Sequence, residues 1–359
     1  MEKNNLKYFL AANSCEGFYS VFDKAYLPDG EWRCFIIKGG PGTGKSSFMK
    51  KIADYAEKAG IKTLRCPCSS DPDSLDAVIL PQKKRIIMDG TAPHTVDPSY
   101  PGVCEKILNF GEFWNDNFFD GNESKVISAT VYNKALHRTA AQYIRAAGEI
   151  ILDNYKTALA CTDKLKTEEF AQRLCRKTIP INKNSVSGRE WIRFIGGITP
   201  QGIVSFTDTI NNEVTEKIVI NDSYGSASNI IMEQVREYAL KNGYETITVK
   251  NPFLPGLITD HIIIPELKIA FVTENDYNRF DGKERRIHAR RFVSYSQLHL
   301  SRERIKFNKK VIKELLCTAC ETLAGAKAVH DELESYYINA MDFDKLNLYC
   351  KDFAKQFIK

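Results

Sequence analysis

The sequence predicts an α/β fold in which one unit of strands and helices occurs twice. Short apolar runs alternate with stretches of helical periodicity, a glycine-rich loop follows one of these runs, and the chain resembles itself at an offset of about 183 residues. Strands that alternate with helices usually form parallel sheets. We therefore expect two tandem domains, each with a parallel sheet flanked by helices and a C-terminal helical arm.

The first half begins with an extended segment, followed by a strand at 34–37, a loop and an amphipathic helix over 48–56. Two more strands are expected at 63–66 and 85–89. The arm that closes this half carries an apolar stripe at Ala140, Tyr143, Ile144, Ala147, Ile151 and Leu152. Such a stripe predicts a helix face that packs against the core or another helix.

The second half repeats this order, with strands expected at 246–249 and 269–273. Seven matched positions recur at constant spacing as Ile220, Gly225, Met232, Tyr238, Ala239, Lys241 and Gly243. Its arm has a similar stripe at Leu323, Ala326, Val329 and Leu333. The polar, proline-containing stretch 179–185 predicts a boundary between domains at 1–183 and 184–359.

The loop of the first half fits the phosphate-binding pattern G-x-x-x-x-G-K-[ST]. Its strand and helix context argues against the alternative, a glycine-rich turn with no nucleotide role. Lys45 is expected to reach the β- and γ-phosphates, and the Ser46 hydroxyl to ligate magnesium. The residues expected to bind ATP are Gly39, Gly40, Pro41, Gly42, Thr43, Gly44, Lys45, Ser46 and Ser47.

Asp89 ends an apolar strand in the form expected of a Walker B motif, so we predict that it holds magnesium together with Ser46. Gly90 follows it, where many ATP-hydrolysing motors have a catalytic glutamate. The general base must then come from elsewhere, and the candidates are Asp71, Asp73, Asp76 and His94. Lys45, Asp89, His94 and Asp71 form the predicted catalytic set. The acidic segment around Asp71 could equally cap a helix, and Asp76 recurs as Asp260, which favours a structural role.

The aligned loop of the second half lacks the features that bind phosphate. Gly39, Gly44, Lys45 and Ser46 align with Asp222, Ala227, Ser228 and Asn229, and Asp89 aligns with Thr273. Asp222 places a carboxylate where phosphate is expected, and like charges repel. The sequence therefore predicts one functional site and a degenerate second domain.

Composition narrows the remaining possibilities. No segment has the 18 consecutive apolar residues of a membrane span, and the N-terminus lacks a signal peptide's apolar core, so we expect a cytoplasmic protein without a membrane partner. The ten cysteines are expected to be reduced and to bind no metal. A formal charge of +5 neither requires nor excludes nucleic acid. A homodimer or another protein partner also stays open.

A family resemblance is carried by segments along the whole chain: 8–13, 17–22, the loop, 68–71, 89–94, 111–114, 330–334 and 340–343. In these segments the chain resembles the tandem P-loop ATPases of Firmicute bacteria, and the resemblance covers nearly its whole length. The resemblance implies two P-loop domains, ATP with magnesium and a cytoplasmic location, but no particular reaction. Many members keep a second intact loop, from which this chain departs at 222–229.

Three functions follow as expectations. The first is a magnesium-dependent ATPase with one site and a regulatory or structural second half. The second is a small-molecule or nucleotide kinase, which Asp89-Gly90 favours. The third is an ATP-switched regulator that contacts nucleic acid through the basic run 283–291, beside Phe292 and Tyr295. That run could also be a solvated face, or could supply an arginine to the phosphates.

Overall fold

The computed structural model describes residues 6–92, 95–182, 186–282 and 284–359. The first half contains the strands β1 (Leu6–Lys7), β2 (Ala11–Ser14), β3 (Gly17–Ser20), β4 (Arg33–Lys38), β5 (Leu64–Cys68), β6 (Asp71–Leu80), β7 (Arg85–Asp89) and β8 (Glu105–Asn109). Its helices are α1 (Lys45–Lys58), α2 (Glu123–Ala160) and α3 (Lys164–Thr178).

The second half contains the strands β9 (Glu190–Arg193), β10 (Gly196–Thr199), β11 (Gly202–Ser205), β12 (Glu216–Asn221), β13 (Thr246–Lys250), β14 (Thr259–Ile264), β15 (Ile269–Glu274) and β16 (Arg285–His288). Its helices are α4 (Thr207–Glu213), α5 (Ser226–Lys241), α6 (Tyr295–His299), α7 (Arg302–Ala340) and α8 (Phe343–Phe357). The short helices α4 and α6 stand where the first half has 3-10 turns, at Phe22–Lys24 and Asp116–Phe119. Both halves therefore run through corresponding elements.

Each half forms a six-stranded mixed sheet, in the orders β1-β5-β6-β7-β4-β8 and β9-β13-β14-β15-β12-β16. The two orders correspond strand for strand. In the first sheet β4 is parallel to β7 and β8, and β1 is parallel to β5. The second sheet repeats these pairings, so the sequence repeat is also a repeat of topology.

The expectation of a purely parallel sheet is wrong in one strand of each half. Strand β6 runs antiparallel to both β5 and β7, and β14 runs antiparallel to β13 and β15. Only two residues separate β5 from β6, whereas a parallel connection needs a dozen or more. The acidic segment that begins at Asp71 is thus the start of a strand, and it caps no helix.

The last helix of each half packs on the other half. Helix α3, from the first half, packs on α5 of the second half, and α8 packs on α1 of the first. Leu174 and Cys175 of α3 lie in one core with Ile231 and Val235, while Phe353 of α8 lies in a core with first-half residues. Each half therefore completes the hydrophobic core of the other.

Equivalent residues also contact one another across the two halves. Phe9 donates its N–H to Phe194 O at 2.8 Å, and Phe194 donates to Phe9 O at 3.1 Å. Farther out, Asp342 N bonds Phe113 O at 2.7 Å, and Asp163 N bonds Phe292 O at 2.8 Å. Such reciprocal contacts are typical of a twofold axis, so the halves are related by an approximate twofold.

The long helices α2 and α7 pack along one another in opposite directions. Asn133, early in α2, donates to Ala326 O late in α7, and Asn308, early in α7, donates to Asn154 late in α2. Ala140, Ile144 and Ala147 are buried in one cluster with residues of α7, which confirms the expected packing face. No helix among the described residues is long and apolar enough to cross a membrane.

Candidate functional site

The phosphate-loop sequence joins β4 to α1 at the edge of the first sheet where β4, β5 and β7 end. Gly42 has a φ of 69° and Gly44 a φ of 84°, in the left-handed region that favours glycine. Gly44 is the N-cap of α1, and no side chain caps the helix. The loop thus curls into a helix N-terminus, whose N–H groups and dipole attract anions.

Lys45 and Asp89 lie side by side at this edge. The Lys45 Nζ donates to Gly39 O at 3.0 Å and to Gly40 O at 2.7 Å, and lies 3.7 Å from Asp89 Oδ2. Strands β4 and β7 are neighbours with Ile37 paired to Asp89, which brings the end of β7 next to the loop. The two predicted motifs therefore form one constellation.

The predicted magnesium ligands fit such a role. Ser46 Oγ accepts from Leu75 N at 3.0 Å, and Asp89 Oδ1 accepts from both Thr91 N at 2.9 Å and Thr91 Oγ1 at 2.6 Å. A hydroxyl and a carboxylate of this kind are the oxygen ligands that Mg²⁺ takes beside phosphates. No group of three or more His, Cys, Asp or Glu side chains among the described residues is arranged to hold a metal by itself.

The other predicted loop residues support the curl. Thr43 is fully buried, and its Oγ1 donates to Gly40 O at 2.9 Å, which closes the turn over Pro41. Lys38, the last residue of β4, donates to Gly90 O at 2.8 Å, Val96 O at 2.7 Å and Asp97 Oδ1 at 2.7 Å. These three contacts of Lys38 hold the segment after β7 beside the loop. Ser47 is exposed on the first turn of α1.

The candidate bases differ in their surroundings. Asp71 accepts from Ser74 Oγ at 2.7 Å and lies 3.8 Å from Lys327 Nζ, which belongs to α7. Asp73 accepts from Gln201 of the second half at 2.9 Å. Asp76 is buried within β6. His94 lies outside the described residues, so its role stays a prediction.

Sequence reasoning missed the part that α7 plays at this site. Glu334 Oε1 accepts from Gly42 N at 3.3 Å, and His330 Nε2 lies 3.5 Å from the same Glu334 oxygen. The ring of Tyr337 rests against Gly40, where any added Cβ would clash with it. Lys327, His330 and Glu334 share one helix face at i, i+3 and i+7 spacing. That spacing, within and beside the segment 330–334 that carries part of the family resemblance, is a sequence signal that could have indicated a shared partner.

In the corresponding loop of the second half, the carboxylate of a loop residue bonds the backbone N–H groups. It has four residues between β12 and α5, against six between β4 and α1, and α5 begins at Ser226. The Asp222 carboxylate is buried and accepts from Ala227 N at 2.8 Å, Ser228 N at 3.0 Å and Tyr224 N at 3.1 Å. The carboxylate expected to repel phosphate is thus bonded to the N–H groups of this loop and helix start.

At the strand ends of the second half, polar and charged side chains also bond one another. Glu274 accepts from Asn221 Nδ2 at 2.8 Å and pairs with Arg286. Burial alone would raise the pKa of Glu274, but the hydrogen bonds from Arg286 and Asn221 outweigh it and lower that pKa. An open cleft of about 290 Å³ beside these groups is lined by both signs of charge, including Arg279 and Asp276. Among the described residues that line this cleft, none forms a lysine–aspartate pair like that of Lys45 and Asp89.

The basic run is partly engaged in internal contacts. Besides its pair with Glu274, Arg286 donates to Phe280 O. Arg291 stacks on the Phe170 ring with its guanidinium carbon 4.9 Å from the ring centre. Lys283 lies outside the described residues. These contacts give two of the arginines a structural role within the second half.

The ten cysteines are all unpaired thiols. Burial raises the pKa of Cys34 and Cys66 to about 12, so both remain protonated at neutral pH.

Comparisons with protein-family models, with curated proteins and with solved structures found no match to this chain. The resemblance to tandem P-loop ATPases therefore stays a prediction, and the argument for function depends on the geometry of the site.

Proposed function

We propose that the first half binds ATP with magnesium at residues 39–47 and hydrolyses it, and that the second half has lost this ability. The observation that carries the proposal is the position of Lys45 Nζ, 3.7 Å from Asp89 at the N-terminus of α1, behind a loop with two glycines at positive φ. Segments that resemble the tandem P-loop ATPases, the loop and residues 330–334, meet at this place.

Each group of residues at this site would have its own role in binding ATP and magnesium. The Lys45 ammonium exchanges the carbonyls of Gly39 and Gly40 for phosphate oxygens, since a phosphate anion attracts it more strongly than a neutral carbonyl. The N–H groups of the loop and of the first turn of α1 orient the phosphates. Ser46 and Asp89 would hold the magnesium ion, which would supply positive charge to stabilise the phosphates.

The sequence signal for a kinase has a packing explanation. A Cβ at position 90 would collide with the Ile36 side chain and lie 2.9 Å from Val96 O. Glycine is therefore required after Asp89 whatever the reaction, and it gives no support to a kinase. A hydrolase that keeps its second half as a structural and regulatory part is the function we propose.

Lys45→Ala tests the proposal. We expect it to lower phosphate release from ATP, measured without any added acceptor, by roughly 100-fold or more, because the ammonium group that would contact the phosphates is lost. Lys58→Ala, an exposed lysine at the far end of the same helix, is the matched control and should leave the rate unchanged. Unaltered turnover in Lys45→Ala would contradict the site assignment. Phosphate release that appears only with an acceptor would favour the kinase.

A further inference from the structure

We propose that Glu334, supplied by the second half, competes with nucleotide phosphate for the loop of the first half and so makes α7 respond to nucleotide. This inference rests on the function proposed above. The contact that carries it joins residues 292 positions apart: Glu334 Oε1 accepts from Gly42 N at 3.3 Å. Gly42 is one of the two positive-φ glycines of the phosphate loop.

The contact between α7 and the loop involves more than one side-chain hydrogen bond. A Cβ at Gly42 would lie 2.9 Å from the Cα of Glu334, so the backbones of the loop and the helix are in direct contact. One turn later the Tyr337 ring covers Gly40 and also packs on Trp114 and Phe119, at 5.9 and 5.0 Å between ring centres. A group that binds inside the loop must therefore meet α7.

Charge makes the two occupants of the loop incompatible. The hydrogen bond from His330 lowers the pKa of Glu334, although burial opposes it, and the Gly42 N–H and Lys327 lower it further. The carboxylate is therefore ionised at neutral pH. A phosphate bound at the Gly42 N–H would place a second anion within a few ångström of it, and like charges at that distance repel strongly. Nucleotide binding must then displace Glu334.

In the second half, too, a carboxylate accepts hydrogen bonds from loop N–H groups, but it belongs to the loop itself. Asp222 accepts three N–H groups of its own loop and helix from a buried position within the loop itself. Glu334 reaches the first loop from another helix and remains partly exposed. A carboxylate within the loop stays in place, whereas one on a separate helix can withdraw when a phosphate takes its N–H.

Displacement of Glu334 would move other charges on the same helix. Lys327 lies 3.8 Å from Asp71 and 2.8 Å from Asp331, so it links α7 to the start of β6. Because α7 packs on α2 and continues into α8, which covers α1, its last turns connect the loop with both halves. Binding and displacement are linked reciprocally: whatever stabilises the Glu334 contact weakens nucleotide binding by the same factor.

Glu334→Gln is the decisive variant, since it keeps the size of the side chain and removes its charge. We expect the Kd of the full-length variant for MgATP, measured by calorimetric titration, to fall roughly three- to tenfold. Glu332→Gln is the matched control: it removes the same charge from an exposed position on the same helix and should bind as the wild type does. Circular dichroism would check that both variants are folded.

Hydrogen exchange of residues 327–340 gives the second readout. In the wild type, MgATP should increase exchange in these last turns of α7, and Glu334→Gln should show increased exchange before nucleotide is added. Equal or weaker ATP binding by Glu334→Gln, with normal binding by the wild type, overturns the competition and leaves the proposed function intact. Absence of ATP binding in the wild type and both variants overturns the proposed function and this inference together.

Discussion

Asp222 shows how a single residue can change the chemistry of a whole loop. Its position aligns with Gly39, and its carboxylate accepts from one N–H group of the loop and from two at the start of α5. An acceptor at a helix N-terminus is stabilising because those N–H groups have no partner within the helix. Asp222 therefore stabilises the start of α5 in the second half.

We predict that Asp222→Ala lowers the free energy of unfolding by about 2–3 kcal/mol, because it leaves buried N–H groups of Ala227 and Ser228 without an acceptor. Urea unfolding measures the change. Asp222→Asn retains one acceptor oxygen and should lose about half as much. If Asp222→Ala were as stable as the wild type, the hydrogen bonds assigned to the carboxylate would not matter to stability.

At the scale of elements, the exchanged helices α3 and α8 hold the structure together. Helix α8 lies on α1, directly behind the phosphate loop, and its Leu346 and Phe343 lie beside Gly44. Phe353 is buried and packs on Phe35 and Phe48 with ring centres 5.0 and 5.5 Å apart. The last helix of the chain is therefore part of the core that positions the first half's loop.

Phe353→Ala is expected to reduce the free energy of unfolding by about 3–5 kcal/mol, since it leaves a cavity among aromatic rings. Leu348→Ala, on the exposed face of the same helix, should cost less than about 0.5 kcal/mol. Thermal unfolding distinguishes them. A small effect of Phe353→Ala would mean that α8 is held only loosely on α1.

Sequence reasoning worked where a signal is local. The loop and the strand that ends at Asp89 each have a short pattern, and the structure has strands at Arg85–Asp89 and Thr246–Lys250 close to the expected bounds. The internal repeat was found from positions matched at a constant offset, and the two sheets repeat the same strand order. Strand β6 was missed because Pro72 and three aspartates make its sequence resemble a loop. The exchange of α3 and α8 was missed because an apolar stripe shows that a face is buried, but not which surface covers it. Glu334 was missed for a related reason, since its partner is 292 residues away in the chain.

For the whole molecule, the exchange means that neither half has a complete core. Helix α5 needs α3 from the first half, and α1 needs α8 from the second. The two halves also share the Phe9–Phe194 backbone pair near the approximate twofold axis. The chain should therefore fold as one cooperative unit.

We predict that fragments 1–182 and 186–359 co-purify as a 1:1 complex when they are expressed together, because each supplies a helix that the other lacks. Native mass spectrometry and size exclusion would establish the stoichiometry. Expressed singly, each fragment should expose its uncovered apolar helix face and aggregate or self-associate. Two fragments that behave as separate folded monomers would contradict this prediction.

The reciprocal contact of Phe9 with Phe194 has an evolutionary consequence. Two copies of a half-length ancestor that exchanged their last helices would already make this contact across a true twofold axis. In a homodimer every substitution appears at both sites at once. In a fused chain one copy can carry Asp222 while the other carries Gly39, so covalent linkage lets the two loops differ in sequence and in chemistry.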